Sequence, residues 1–286
     1  MNEIWDAVNT EDSLRLFNAI HIGMDINSRK SNIPNTNTTT PLQRLVEKVL
    51  ENGLTAEPNE PQRIIQMSMM HTLLKGNPNK EVVDNNNHTP LIALVRGVFQ
   101  DTSDRTYRLK MISMLLKYGA NANVYDNLHL NAMQLAAKMN WTSLIKILIY
   151  YDVDVDSRLD RSKHTPLMIA ANMNNMNAVR MLLKKGANIY AHATHKNALD
   201  LAIRSRHKDI QDYLRLVMRQ QNEAEDIVLE EIRQERLNGL RDPIAIGYSR
   251  SVNEKLSLSS LPRDMMQLIL RGSENTDVTV IPRRPR

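Results

Sequence analysis

Three histidines come closest, by type and spacing, to a metal-binding site. His192 and His195 fall in one short loop segment, and His164 precedes them in the chain. Two histidines that bind zinc from one helix are four residues apart, which this pair is not. No carboxylate near them in the sequence completes a set of ligands. We therefore expect no metal and no cofactor here, and interpret His192 and His195 as exposed loop residues.

The sequence carries no recognisable catalytic signature. It contains no Cys, which removes thiolate nucleophiles, thiolate metal ligands and disulfides together. It also lacks the G-x-S-x-G, phosphate-binding G-x-x-x-x-G-K and H-E-x-x-H patterns. Carboxylates are plentiful, but none is paired with a nucleophile and a base. These observations predict a protein that is not an enzyme.

The charge distribution argues against a nucleic-acid partner. The net charge is +5, and residues 1–219 hold 27 Lys and Arg against 21 Asp and Glu, spread along the segment. A nucleic-acid footprint is denser. No apolar run approaches the roughly 20 residues that cross a bilayer, and the acidic N-terminus does not resemble a signal peptide. We expect no membrane association and a cytoplasmic location.

Two short patterns recur in phase along the chain. One resembles a helix start, in which a capping residue precedes Pro or Ala. It occurs at Thr40, Thr89, Asn131, Thr165 and Asn197. The other is a helix stop followed by small and polar residues, and it occurs at Gly23, Gly76, Gly119, Asp152 and Gly186. The intervals settle near 33 residues in the second half of the chain, whereas the earlier ones are longer. The sequence is therefore a repeat with insertions.

Each repeat is predicted to form two short helices. In the one from Thr165, apolar residues at helical spacing mark both packed faces: Leu167, Ala170 and Ala171, then Val179, Leu182 and Leu183. Gly186 is expected to end the second helix in the left-handed conformation. Asn174, between the helices, is expected to have a positive φ, which Asn tolerates.

The segment "HTPLMIAANMNNMNAVRMLLKKGANIYA" resembles the ankyrin repeat, as do its counterparts over about residues 1–219. The resemblance implies an all-α solenoid of about six helix-turn-helix units with hairpin loops, followed by a C-terminal helical tail. Insertions are expected near 51–62 and 99–107, with the helix from Leu91 extended into the second. The His that follows Thr-Pro-Leu in the family is replaced by Gln43, Ile92, Gln134, Met168 and Asp200, so its hydrogen bond is lost or reassigned.

The resemblance also implies protein recognition, through the concave face formed by hairpin tips and first helices, by a chain expected to be a monomer. The residues predicted to contact the partner are Tyr125, Asp126, His129, Lys138, Met139, Trp141, Arg158, Asp160, Arg161, Asn172, Met173, His192 and His195. Trp141 stands where the family pattern has the His of Gly-His. It is interpreted either as a binding anchor or as a residue packed between adjacent repeats.

The remaining chain divides into two predicted segments. Residues 220–252 form a capping helix at 222–237 and a linker, and residues 253–286 contain "LSLSSLPRDMMQLILRG" and a disordered end. The quoted segment resembles the start of an F-box, found after ankyrin repeats in poxviral proteins and effectors of intracellular bacteria. That resemblance implies binding of the Skp adaptor of a cullin ubiquitin ligase through Leu261, Pro262, Met265, Leu268 and Ile269. Alternatively, this helix packs on the repeats. A host-directed protein of this kind acts in the host cytoplasm or nucleus.

Overall fold

The computed structural model of the chain describes residues 3–28, 40–52, 60–84, 86–97, 102–158 and 163–239. The chain divides into two compact units, Met1–Gln211 and Asp212–Arg286. Within the described residues there is no strand, and isolated bridges join only Tyr125 to Asn131 and Ala193 to Lys196. The predicted all-α class is therefore confirmed.

Short helices that begin at a capping residue alternate with the helices that follow them. The first helices are α1 (Glu3–Thr10), α3 (Pro41–Asn52), α5 (Pro90–Arg96), α7 (Ala132–Lys138), α9 (Pro166–Asn172) and α11 (Ala198–Arg204). The second helices are α2 (Ser13–His21), α4 (Glu60–Lys75), α6 (Thr102–Lys117), α8 (Thr142–Tyr150), α10 (Met176–Lys184) and α12 (Lys208–Gly239).

Within residues 1–211, each helix packs on its partner and on the equivalent helix of the next pair. The first helices α1, α3, α5, α7, α9 and α11 form one row, and α2, α4, α6, α8 and α10 form another. The apolar residue after each capped start, such as Leu42, Leu91 or Leu167, is almost completely buried. Each pair therefore buries its apolar surface against its neighbours, which is why the helix start is repeated.

The recurring capping residues satisfy the free N–H groups at the start of each first helix. The side chains of Asn131 and Asn197 accept hydrogen bonds from the N–H groups of Gln134 and Asp200, at 2.9 and 3.0 Å. Thr165 does the same for Met168 at 3.3 Å. The repeated Thr and Asn are thus structural N-caps.

The hydrogen bond expected from the family His is reassigned to glutamine in two pairs. Gln43 accepts from Thr40 N–H and donates from Nε2 to the carbonyl of Val82, at 2.9 and 2.7 Å. Gln134 accepts from Asn131 N–H at 3.1 Å and donates to the carbonyl of His164 at 3.0 Å. Both glutamines are buried, and each joins a first helix to the hairpin that precedes the next one.

Gln134→Leu is expected to lower the free energy of unfolding by about 1–3 kcal/mol, because buried polar groups lose a partner. Urea unfolding followed by circular dichroism measures this loss. The matched control is Met168→Leu at the same position of the next pair, expected to cost less than about 1.5 kcal/mol. Equal losses in the two variants would contradict the role assigned to Gln134.

The segment after Leu91 differs from its prediction. Helix α5 ends at Arg96, with the seven-residue length of α7 and α9, and does not extend into an insertion. Instead α6 begins at Thr102 and is 16 residues long, so most of the region 99–107 is helix. Gly97 ends α5 beside the buried guanidinium of Arg108, where a side chain at position 97 would collide with Arg108 and Leu50. The extra length therefore belongs to the second helix.

Backbone conformations at the helix ends agree with the sequence at some positions. Asn174 has φ of 59° and Gly186 of 83°, which confirms both predictions. Asp152 takes the glycine position with φ of 58°. At Gly76, however, the left-handed residue is the following Asn77, with φ of 53°. Gly76 is instead needed for packing, since a Cβ there would lie 2.5 Å from Cδ1 of Ile26.

The tail begins as one continuous helix. The sequence predicted a separate helix at 222–237, whereas α12 runs without a break from Lys208 to Gly239. Its apolar side chains Ile227, Leu229 and Ile232 are exposed. The F-box-like residues Leu261, Pro262, Met265, Leu268 and Ile269 lie outside the described residues.

Candidate partner-binding surface

Two loops before first helices are closed by an aspartate. The Oδ1 atom of Asp126 accepts hydrogen bonds from the N–H groups of Leu128 and Leu130, at 2.8 and 2.9 Å. Its Oδ2 atom pairs with Arg96, and the residue is fully buried. The predicted contact between Asp126 and a partner is therefore wrong, because the carboxylate is occupied in closing its own loop. Asp160 has the same spacing in the sequence but lies, with Arg161, outside the described residues.

Asp84 closes the equivalent loop and lies beside a histidine. Its Oδ1 atom accepts from the N–H groups of Asn86 and His88, both at 2.8 Å, and its Oδ2 atom is 3.7 Å from Nδ1 of His88. Burial lowers the pKa of His88, and the Asp84 carboxylate only partly opposes this effect. Protonated His88 is thus less favourable in the folded chain than in the unfolded chain.

We expect His88 to make the fold acid-sensitive. Because the folded-state pKa is below the unfolded value of about 6.5, the unfolded chain binds more protons in this range. The free energy of unfolding therefore falls as the pH decreases through about 6.5, until the folded-state pKa is passed. Urea unfolding of the wild type and of His88→Asn from pH 8 to 5 measures the contribution of His88 to this pH dependence. The prediction would be contradicted if the free energy of unfolding depended on pH equally in the wild type and in His88→Asn.

The helix-stop segments form a ladder of aspartate and asparagine turns. In five successive loops a side-chain oxygen accepts the N–H two residues later, at 2.9–3.0 Å. The residues that accept are Asp25, Asn79, Asn121, Asp154 and Asn188. Side chains also join one loop to the next. Asn27 accepts from Asn79 N–H at 2.7 Å, Glu81 from Asn121 N–H at 2.8 Å, and Asp156 from Asn188 N–H at 3.1 Å.

The loop before α11 is a tighter hairpin. Ala193 and Lys196 exchange backbone hydrogen bonds at 2.8 and 3.0 Å around Thr194 and His195. Both central residues have positive φ, 46° and 64°, as a two-residue hairpin of this type requires. The hairpin holds His195 at an exposed tip, with His192 exposed just before it.

The turns between first and second helices are joined to each other by side-chain donors. Asn175 donates from Nδ2 to the carbonyls of Ala137 and Lys138, at 2.8 and 2.7 Å. A ring nitrogen of His207 lies 3.0 Å from the carbonyl oxygen of Asn172. These residues occupy the position that the family pattern gives to the His of Gly-His. They fix successive first helices side by side.

Trp141 occupies the same position but is buried. Only 3% of its surface is exposed, and its backbone forms the N-cap of α8. The guanidinium of Arg105 lies over the indole, 5.5 Å from the ring centroid, and donates to the carbonyl of Met139 at 3.2 Å. The prediction of Trp141 as a binding anchor is therefore wrong, and its packing alternative is correct.

The other predicted contact residues remain accessible in the described chain. Tyr125, Lys138, Arg158, Asn172, Met173, His192 and His195 are exposed, and His129 and Met139 are partly exposed. The ring of Tyr125 packs against that of His129, with centroids 5.2 Å apart. Asn172 accepts a hydrogen bond from Ser205 at 2.8 Å.

The loops and turns that carry these residues form two edges of the surface, one at each end of the first helices. The hairpin edge comprises the loops at 119–131, 152–158, 163–165 and 186–197, and the turn edge comprises 138–141, 172–175 and 204–207. A seven-residue helix separates the two edges by about 10 Å. Sequence reasoning missed three exposed apolar residues on these edges or beside them: Leu128, Tyr190 and Ile203. Ile203 is exposed although the equivalent Ala137 and Ala171 are buried. The reason is that α11 is the last helix in the row of first helices.

Other kinds of site are not found in the part of the chain that the structure describes. No group of three or more potential metal ligands comes together among these residues. None of the described helices combines the length and apolar character that a membrane span requires.

Comparison with known families identifies the repeated pair. Residues 102–193 and 142–225 match the family model for ankyrin repeats, found in three copies. The matched residues contain α6 to α11 and the first part of α12, so this part of the chain matches ankyrin repeats, as its sequence predicted.

Two curated proteins are similar to parts of the chain. The phosphocholine transferase AnkX of Legionella pneumophila is 38% identical over 72 residues, which are 25% of this chain and 8% of that protein. The putative ankyrin repeat protein L371 of Acanthamoeba polyphaga mimivirus is 30% identical over 99 residues, 32% of this chain and 13% of that protein. The chain thus matches only a small fraction of the length of either relative.

Proposed function

We propose that this ankyrin-repeat protein binds a partner protein across the first helices, between the hairpin edge and the turn edge. Ankyrin repeats as a class are protein-binding modules, which supports a protein partner. The observation that carries the proposal is the contrast between the two parts of this surface. The first helices are largely buried, whereas Tyr125, Tyr190 and Met173 on the flanking edges are each about half exposed.

The exposed residues on the edges have the chemistry of a binding surface. Tyr125 and Tyr190 are each about half exposed on the hairpin edge, and Met173 is similarly exposed on the turn edge. Aromatic residues and Met are enriched in protein interfaces. Since the helices beneath them are rigidly packed, little ordering is required when a partner binds.

Matched tyrosine substitutions test the proposed surface. Proximity labelling in cultured eukaryotic cells would compare the wild type with Tyr125→Ala, on the hairpin edge, and with Tyr150→Ala, an exposed residue of α8. We expect Tyr125→Ala to lose labelled partners that the wild type and Tyr150→Ala both retain. Partners lost equally from both variants, or from neither, would place the interface elsewhere.

We propose a non-enzymatic role. The similarity to the phosphocholine transferase extends over 8% of that enzyme, and the catalytic signatures considered above are missing from this sequence. The relatives are a bacterial and a viral protein, which supports a host-directed role in the host cytoplasm or nucleus. We propose that the protein acts as a monomer, because one chain supplies the whole surface.

A second proposed role is that of a substrate receptor for a ubiquitin ligase. The segment "LPRDMMQLIL" at 261–270 favours it, through its resemblance to the start of an F-box. In this role the repeats hold a target while the C-terminal segment binds the Skp adaptor. Affinity purification of the full chain and of residues 1–250 tests the idea. Skp and cullin recovered equally with both would exclude it.

A further inference from the structure

Basic residues outnumber acidic residues in the second half of the repeats. Residues 132–211 hold 12 Lys and Arg against 6 Asp and Glu. In the preceding part of the chain, cations form ion pairs. Arg44 contacts Glu47 at 3.1 Å, and Arg108 contacts Asp104 at 2.9 Å.

Six of these cations lie on the two edges defined above. Arg158, Lys163 and Lys196 are exposed on the hairpin edge, and Lys138, Arg204 and Arg206 are exposed at the turn edge. Among the described residues, none of the six forms an ion pair with a carboxylate within 4.0 Å. Their positive charge is therefore available to a ligand.

Three nearby carboxylates accept hydrogen bonds from the backbone. Asp154 accepts the N–H of Asp156, and Asp156 accepts the N–H of Asn188. Asp200 accepts the N–H of Asn197 at 2.9 Å, within a capping box. These acidic side chains are held in turns and a cap, and none of them forms an ion pair within 4.0 Å with any of the six cations.

We propose that the partner presents an extended acidic segment to this surface, an inference that rests on the proposed protein-binding function. Successive helix pairs are about 10 Å apart. On the hairpin edge Arg158 and Lys163 are therefore one spacing from Lys196, whereas on the turn edge Lys138 is two spacings from Arg204 and Arg206, with no cation in the turn at 172–175. An extended peptide advances about 3.3 Å per residue, so acidic residues about three positions apart reach the cations of the hairpin edge, and acidic residues about six positions apart reach those of the turn edge. Apolar residues between them contact Met173 and Tyr190.

A protein segment fits this surface better than a nucleic acid. Duplex DNA carries one negative charge per roughly 1.7 Å of axis, and its neutralisation requires a denser array of cations than one per helix pair. The exposed apolar residues between the cations offer nothing to phosphates. They complement a peptide with alternating acidic and apolar side chains.

Selection from a random dodecapeptide display library on the full chain tests the proposal. The selected peptides, fluorescein-labelled, are then titrated by anisotropy into the wild type and a triple variant, Lys138→Glu, Lys196→Glu and Arg204→Glu. A control triple variant, Lys146→Glu, Lys184→Glu and Lys185→Glu, makes the same charge change on and beside the second helices. Titration of the wild type at 50 and 300 mM salt gives a readout that does not depend on the folding of a variant.

We expect the selection to enrich acidic peptides. Their affinity should fall at least about tenfold in the first triple variant and change little in the control variant. Their affinity for the wild type should also fall when the salt concentration is raised. Peptides without acidic residues, bound equally by both variants, would overturn the acidic inference while leaving protein binding intact. Binding of a labelled 20-nucleotide single-stranded RNA instead, lost in the first variant, would overturn it in favour of nucleic acid. Failure to select any peptide would count against both the inference and the proposed function.

Discussion

Asp104→Ala is expected to lower the free energy of unfolding by about 3–5 kcal/mol, a loss typical of a broken buried ion pair. Asp104 and Arg108 are one helical turn apart in α6, and both are almost fully buried. Two nitrogens of the guanidinium contact the two carboxylate oxygens, at 3.1 and 2.9 Å. Without this carboxylate, the buried guanidinium loses a negative charge that compensates it. Chemical unfolding followed by circular dichroism measures the loss.

The control for this prediction removes both charges. Asp104→Leu combined with Arg108→Met is expected to be far closer to the wild type than either single substitution, because neither charge then remains buried. If the double variant were as unstable as Asp104→Ala, the loss would arise from packing instead of from an uncompensated charge.

Trp141→Ala is expected to cost about 3–5 kcal/mol of stability, as for other buried aromatic residues. The substitution removes the ring beneath Arg105 and leaves a cavity at the start of α8. Any loss of partner binding would therefore follow from partial unfolding. Thermal and urea unfolding of the purified variant measure the effect.

Two further variants separate packing from recognition. Trp141→Phe retains a ring beneath Arg105 and is expected to recover much of the lost stability. Met173→Ala, at an exposed position of the neighbouring turn, is expected to change stability by less than about 0.5 kcal/mol. A stable Trp141→Ala variant that fails to bind its partner would restore the binding-anchor interpretation.

The repeated fold was predictable because its determinants are local. A capping Thr or Asn, a following Pro or Ala and a terminal Gly each act within one helix turn, and they recur in phase. The length of α6 was not predictable in this way. Helix α6 carries a buried ion pair between Asp104 and Arg108, and Gly97 at the end of α5 leaves the space that Arg108 occupies. Because Gly97 belongs to the end of another helix, the space that it leaves for Arg108 does not follow from the sequence of α6 alone.

The candidate surface was predicted only in part for the same reason. Position within the repeat correctly predicted that Tyr125, Lys138 and Met173 are exposed. It did not reveal that Arg96 pairs with Asp126 or that Arg105 lies over Trp141, since both cations come from other helices. Asp126 and Trp141 were predicted to contact a partner protein, but their side chains contact other residues of the repeats instead.

One side-chain hydrogen bond between successive helix-stop loops is missing, and this leaves one backbone amide less protected than its equivalents. No hydrogen bond of the ladder joins Asn123 to Asp154 among the described residues, although the loops on either side are connected. Deuterium should therefore enter the amide of Asp154 sooner than those of Asn79, Asn121 and Asn188.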